Sequence, residues 1–150
     1  MSNVDDKHIQ QFVRRHARVG VDTNIVIAIV EAHLHYGDQA RNVFKLFNQH
    51  GTEVWISVTT IPEVLIKPVS KKAYEIVRDY EHILFDGLFS FAPISLVTAR
   101  QAALTGGVYN LHAADSLILA SLIEQGVTGF ITADQDFKNV TDLEILLIGR

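Results

Sequence analysis

Short apolar segments alternate with longer helical segments along most of this 150-residue chain. The apolar segments are rich in β-branched and aromatic residues, which is typical of buried strands. No Asn-Gly turn of the kind that joins antiparallel hairpins occurs in the sequence. Because parallel strands need a crossover between them, the alternation predicts an α/β fold: an α/β/α sandwich with a central, mainly parallel sheet.

Apolar runs and helical periodicity predict the following elements. The predicted strands cover residues 19–21, 53–58, 88–94, 127–132 and 143–148. The predicted helices cover residues 3–18, 24–36, 38–50, 60–66, 71–85, 95–104 and 111–125. Gly37 is expected to end the second helix, and the Gly106-Gly107 pair is expected to end the sixth. We predict an N-terminal helical arm at residues 1–18 and one domain at residues 19–150.

The composition excludes several classes of protein. A hydrophobic fraction of 48% is enough for a packed core, which argues against general disorder. The chain has no cysteine, so disulfides, thiolate zinc sites and cysteine nucleophiles are excluded. Its net charge is −4, whereas a protein that coats nucleic acid through bulk charge would be basic.

Neither a membrane span nor a signal peptide is expected. The longest stretch free of Asp, Glu, Lys and Arg, residues 101–114, contains two glycines and falls short of the roughly 18 apolar residues of a spanning helix. The N-terminus carries Asp5 and Asp6 and lacks the basic-then-apolar order of a signal peptide. These features predict a cytoplasmic protein.

Three acidic residues follow predicted strands, where ligand sites lie in parallel sheets. Asp22 comes directly after the first strand, Glu63 after the second and Asp134 after the fourth. Each also has a structural interpretation: a helix cap for Asp22, a capping box with Thr60 for Glu63, and a turn for Asp134. Asp136 could serve in place of Asp134.

Asp115 is the least expected acid, because it lies in the apolar stripe of a predicted helix. At 100° per residue, four apolar side chains of that helix lie within about 60° of it. A buried carboxylate is costly unless it is paired or binds a cation, and no basic residue is near it in sequence. A functional role is therefore favoured over a structural ion pair.

Four carboxylates at one sheet edge would repel each other or take up protons unless a cation joined them. Oxygen ligands suit Mg²⁺ or Mn²⁺ better than zinc. The formal charge of these four acids together is −4, which equals the net charge of the chain. The sequence thus predicts a divalent-cation site.

The chain resembles PIN domains in four motifs, in matching order, over nearly all of residues 19–148. The motifs are residues 21–24 (VDTN), 57–63 (SVTTIPE), 114–118 (ADSLI) and 131–137 (ITADQDF). Within that superfamily it is most similar to VapC-like toxins of bacterial toxin–antitoxin pairs.

The resemblance implies a metal-dependent endoribonuclease that uses one or two Mg²⁺ or Mn²⁺ ions. It implies that the catalytic and metal-binding acids are Asp22, Glu63, Asp115 and Asp134. It implies that the supporting residues are Asn24, Thr132 and Asp136. The implied partners are an RNA substrate, a small antitoxin protein and a second copy of the chain. A stand-alone PIN nuclease and a non-cleaving RNA-binding or scaffold module remain alternatives.

Two further features have open interpretations. The N-terminal extension carries Arg14, Arg15 and Arg18, which are either RNA contacts or an ordinary helix end. The apolar helices predicted at residues 24–36 and 38–50 supply either a dimer face or core packing.

Receiver and haloacid-dehalogenase phosphotransfer domains fit less well. Asp22 is followed by Thr and Asn rather than by the acid that the dehalogenase motif requires, and no Lys follows Thr132 before Lys138. A glycine-rich phosphate loop is absent from the sequence.

Overall fold

The computed structural model describes residues 5–31 and 36–149. The strands are β1 (Arg18–Val21), β2 (Glu53–Ser57), β3 (Ser90–Ala92), β4 (Gly129–Thr132) and β5 (Glu144–Leu147). They form one sheet in the order β3-β2-β1-β4-β5, and every pair is parallel. The predicted α/β fold with a central parallel sheet is confirmed.

Helices cover both faces of the sheet. They are α1 (Asp6–Arg15), α2 (Thr23–Val30), α3 (Gly37–His50), α4 (Thr60–Ser70), α5 (Tyr74–Phe85), α6 (Leu96–Tyr109) and α7 (Ala113–Glu124). Neighbouring residues of one strand point to opposite faces. Ile131 therefore joins the core formed with α1–α5, whereas Phe130 joins the core formed with α7. None of the described helices has the length and hydrophobicity that crossing a membrane requires.

Several predicted helix ends were wrong. Helix α2 ends at Val30 rather than near residue 36, and Gly37 begins α3 instead of ending α2. Residues 3–4 and 32–35 of the predicted helices lie outside the described residues. Helix α4 continues past residue 66 to Ser70 and includes Pro68, which has no N–H to donate to the carbonyl of Val64 one turn earlier. In α5, the first helical residue is Tyr74 rather than residue 71.

The Gly106-Gly107 pair lies inside α6 and does not end it. The helix continues to Tyr109, and Asn110 follows it in the left-handed conformation with φ of 55°. A Cβ added to Gly106 would lie 2.5 Å from Oγ of Ser116 on α7. The glycine is therefore needed for the close approach of α6 to α7, which the local sequence does not reveal.

The two glycines of α6 give a matched pair of stability predictions. We expect Gly106→Ala to destabilise the fold by about 1–2 kcal/mol, because Ser116 Oγ is held by its hydrogen bond to the His112 carbonyl and cannot move away freely. A Cβ on Gly107 would meet no atom within 4 Å. Gly107→Ala should therefore stabilise the protein by about 0.5–1 kcal/mol through helix propensity. Urea unfolding of both variants measures the difference, and equal effects would contradict this account.

Helix α1 packs against the same core as α2 and α3. It buries Ile9, Phe12 and Val13 completely or almost completely. His16, which follows the helix, bonds through Nε2 to Glu144 at 2.6 Å, and Arg15 pairs with the same carboxylate. Arg15 and His16 thereby attach the end of α1 to the first residue of β5.

Candidate metal centre at the carboxyl edge of the sheet

Asp22 lies directly beyond the end of β1 and caps α2, so the predicted helix cap is confirmed. Its Oδ1 accepts a hydrogen bond of 2.8 Å from the backbone N–H of Thr23. Its Oδ2 accepts one of 2.6 Å from the hydroxyl of Thr132, at the end of neighbouring β4. The side chain is thus fixed at both oxygens, and the residue is 5% exposed.

The environment of Asp22 disfavours its charged form. Burial raises the pKa of this carboxyl to about 6, and the hydrogen bonds from Thr132 and Thr23 oppose that rise. The negative charges of Asp115 and Asp134 raise the pKa further. Two other acids are therefore close enough to Asp22 to act on it electrostatically.

Asp115, Asp134 and Asp136 form a cluster in which one carboxylate oxygen of each lies within 4.8 Å of the others. Asp115 is in the first turn of α7, where the helix meets the sheet edge, and it is half-buried. Asp134 caps the short 3₁₀ turn Gln135–Phe137, and its Oδ1 accepts from the backbone N–H of Asp136 at 2.9 Å. Asp134 and Asp136 therefore both reach Asp115, and which of the two is the metal ligand stays open.

Among the described residues, the acidic cluster has no cationic partner at ion-pair distance. Burial raises the pKa of Asp115, and so do the charges of Asp134 and Asp136, while His112 lowers it. Within residues 5–31 and 36–149, the salt bridges lie elsewhere and include none of these acids. The structural alternative for Asp115, a buried ion pair, is not found in the described part of the chain.

Glu63 approaches the same cluster from α4. Partial burial of its carboxyl raises its pKa, the Thr23 hydroxyl opposes that rise as a hydrogen-bond donor, and the charge of Asp115 adds to it. The predicted capping box with Thr60 is wrong: α4 begins at Thr60, its N-cap is Thr59, and no side chain bonds the cap.

The Thr60 hydroxyl has a different partner, which the sequence did not reveal. It lies 3.0 Å from the hydroxyl of Thr23, and both side chains are buried. The partners are 37 residues apart in the chain. Threonine within three residues of a strand end is the one signal in the sequence that marks these positions.

The predicted supporting residues lie at the site. The Thr132 hydroxyl donates to Asp22 and accepts from the backbone N–H of Asp134 at 3.0 Å, so it joins two of the acids. Oδ1 of Asn24 accepts from the N–H of Ala133 at 3.4 Å and connects α2 to the loop after β4.

The basic residues of the N-terminal extension lie away from the acids. Arg18 is the first residue of β1, where it pairs with Glu53 at 2.7 Å, the first residue of β2. Arg15 pairs with Glu144 at the same, amino edge of the sheet. Arg14 is exposed on α1. Their contact with RNA stays a prediction, and the acids lie at the opposite, carboxyl edge.

The donor set suits a hard divalent cation. It consists of carboxylate oxygens around a buried, hydrogen-bonded Asp22, without a nitrogen or sulfur ligand from the residues named above. A cation would offset the repulsion that raises the pKa values of Asp22 and Asp115. The residues therefore fit the predicted metal ion.

A family model described as PIN domain matches residues 19–143. The chain belongs to the PIN domain family. The match begins at the second residue of β1 and so leaves α1 outside it. No curated protein sequence matches the chain.

Solved toxin structures share the PIN fold of this chain. VapBC2 from Rickettsia felis, bound to a DNA fragment from its promoter, aligns with a TM-score of 0.71 and 17% identity, covering 87% of this chain and 98% of that one. A toxin–antitoxin complex from Klebsiella pneumoniae aligns with a TM-score of 0.61 and 24% identity, covering 85% of this chain and 99% of that one. VapC20 from Mycobacterium tuberculosis, a sarcin-ricin loop cleaving toxin, aligns with a TM-score of 0.64 and 14% identity, covering 84% of this chain and 98% of that one. At these identities the likeness is one of fold.

Proposed function

We propose that this PIN domain is a metal-dependent endoribonuclease and the toxin of a toxin–antitoxin pair. One observation carries the proposal. Oxygens of Asp115, Asp134 and Asp136 lie within 4.8 Å of one another, beside the buried Asp22, and among the described residues no basic side chain pairs with them. Such a cluster is costly for a protein that has no cation to bind.

Asp22, Asp115 and Asp134 would hold one or two Mg²⁺ or Mn²⁺ ions together with Glu63, and Asp136 is the alternative to Asp134. Once bound, a divalent cation neutralises charge on a phosphodiester and makes water a better nucleophile. The protein's own contribution is positioning. The Thr132 hydroxyl fixes one oxygen of Asp22, and the N–H of Thr23 fixes the other.

The test is cleavage of a mixed RNA pool by the purified chain with Mn²⁺, with Mg²⁺ and with EDTA. Cleavage that needs either metal supports the endoribonuclease. If the protein binds Mn²⁺ in calorimetry but leaves both RNA and single-stranded DNA intact, the non-cleaving RNA-binding or scaffold alternative replaces it. Cleavage of DNA alone would overturn the RNA assignment.

An antitoxin is the second proposed partner, because proteins similar in fold are toxin–antitoxin complexes. Co-expression with the product of the neighbouring gene tests it: a stable complex with suppressed cleavage supports the toxin, and free, unaffected enzyme supports a stand-alone PIN nuclease. Because the proposed substrate is RNA, the cytoplasm is the proposed location of the protein.

The third proposed partner is a second copy of the chain, bound through α6. In the dimer face considered at residues 24–36 and 38–50, Val26 and Val43 are fully buried in the protein's own core, and residues 32–35 lie outside the described residues. Helix α6 instead exposes four large apolar side chains by 65% to 80%, namely Leu96, Val97, Leu104 and Val108.

The α6 surface has the properties of a self-complementary contact. Arg100 is its single charged residue, and a group of exposed large apolar side chains is typical of an interaction surface. Beside the protruding Leu104 and Val108 lies a groove of about 460 Å³, lined in part by Ala99, Ala103 and Gly107. A two-fold interface needs a ridge and a recess on one patch, and α6 offers both.

We expect Leu104→Glu to weaken this dimer at least about 100-fold, because it buries an unpaired charge in the interface. Sedimentation velocity over a concentration series measures the change. Ile66→Glu on α4 is the matched control, since Ile66 is 67% exposed and lies off this patch. A wild-type chain that stays monomeric, or equal effects of the two variants, would contradict the α6 interface.

A further inference from the structure

Two buried threonines connect the helices that carry Asp22 and Glu63. Thr23 is the first residue of α2, directly after Asp22, and Thr60 is the first residue of α4, one turn before Glu63. Their Oγ1 atoms are 3.0 Å apart. Thr60 is fully buried and Thr23 is 7% exposed, so water does not compete for this contact.

The two hydroxyls have two protons, and the bond between them uses one. A buried hydroxyl whose proton finds no acceptor costs free energy, so the other proton needs an acceptor too. The Thr23 hydroxyl is close enough to the Glu63 carboxyl to lower its pKa, as a hydrogen-bond donor does, so that carboxylate is the acceptor we assign to the second proton. Both protons are therefore used when Thr60 donates to Thr23 and Thr23 donates to Glu63.

We propose that Thr60 is a positioning residue, which orients the Thr23 hydroxyl toward Glu63 and so holds that carboxylate at the acidic cluster. Glu63 differs from Asp22 and Asp134 in needing such help. The Asp22 carboxylate accepts two hydrogen bonds, and the Asp134 carboxylate accepts one from the N–H of Asp136, whereas Glu63 lies on the exposed side of α4. This role rests on the proposed metal-dependent function.

A purely packing role makes a different prediction. Valine has nearly the shape of threonine but no hydroxyl, whereas serine keeps the hydroxyl and loses a methyl group. If Thr60 acts through its hydroxyl, Thr60→Val is the damaging change and Thr60→Ser preserves function. If Thr60 only fills space, the order is reversed.

The first measurement is Mn²⁺ binding by isothermal titration calorimetry, which does not depend on cleavage. We expect Thr60→Val to weaken Mn²⁺ binding about tenfold, as is usual for residues that orient metal ligands, and Thr60→Ser to stay within about twofold of wild type. With RNA, the Val variant should lower kcat and leave KM unchanged. Circular dichroism confirms that each variant is folded, and Thr23→Val against Thr23→Ser repeats the test if Thr60→Val does not fold.

The second measurement asks whether Thr60 acts through Glu63. In a double-mutant cycle, Thr60→Val should cause no further loss of Mn²⁺ affinity once Glu63→Gln is present. Additive losses, or equal effects of the Val and Ser variants, would overturn the positioning role. A wild type that binds Mn²⁺ without cleaving RNA overturns the endoribonuclease, yet the cycle still decides the role of Thr60. A wild type that binds no Mn²⁺ overturns both.

Discussion

Asp115→Asn should lower metal-dependent RNA cleavage by more than about 100-fold while the fold survives. The carboxylate lies at the centre of the acidic cluster, since its charge acts on Glu63 and its oxygen lies within 4.8 Å of those of Asp134 and Asp136. Asparagine has the same shape but removes the negative charge that a cation needs. Cleavage rates with Mn²⁺, together with Mn²⁺ affinity from calorimetry, measure the effect.

Asp79→Asn is the control for this variant, because Asp79 is exposed on α5 and takes no part in the cluster. It should cleave at the wild-type rate. Asp134→Asn and Asp136→Asn, measured beside it, decide which of the two loop acids is the fourth ligand. Full activity of Asp115→Asn would refute the site. A drop in its thermal stability without any metal effect would show that Asp115 is structural.

The strand ends and the acids that follow them could be predicted from the sequence because both depend on local patterns. Buried strands are short apolar runs, and the carboxyl ends of parallel strands meet at one edge. Asp22 and Asp134 could therefore be placed together without coordinates. Asp115 was predictable for a similar reason, since a carboxylate in an apolar helical stripe conflicts with burial.

Other features depend on tertiary contacts that local patterns do not contain. Gly106 was expected to break its helix, but the neighbouring helix α7 needs a residue without a side chain there. Thr60 was expected to cap α4, but its hydroxyl bonds Thr23 on a helix 37 residues away. In both cases the residue does not play its usual local role. It instead contacts a residue that only the fold brings close.

The raised pKa of Asp22 predicts a conflict between the stability of the metal-free protein and metal binding. Its pKa of about 6 exceeds the ordinary value of 3.8, so between these pH values the folded state holds a proton that the unfolded state has lost. Stability from this group is therefore fully present below about pH 4 and is lost as the pH rises through 6. At pH 7 the loss amounts to about 3 kcal/mol.

We therefore expect Asp22→Asn to stabilise the metal-free protein at pH 7 by up to about 3 kcal/mol and to change stability little at pH 4. Asparagine keeps an oxygen for the N–H of Thr23, so the cap of α2 survives. Mn²⁺ at a hundredfold excess over its Kd should stabilise the wild type by about 3 kcal/mol and leave the variant unchanged. Urea unfolding at both pH values, with EDTA and with Mn²⁺, measures all four differences. If Asp22→Asn were destabilising at pH 7 without metal, Asp22 would be a structural cap, and burial of its charge would cost the fold nothing.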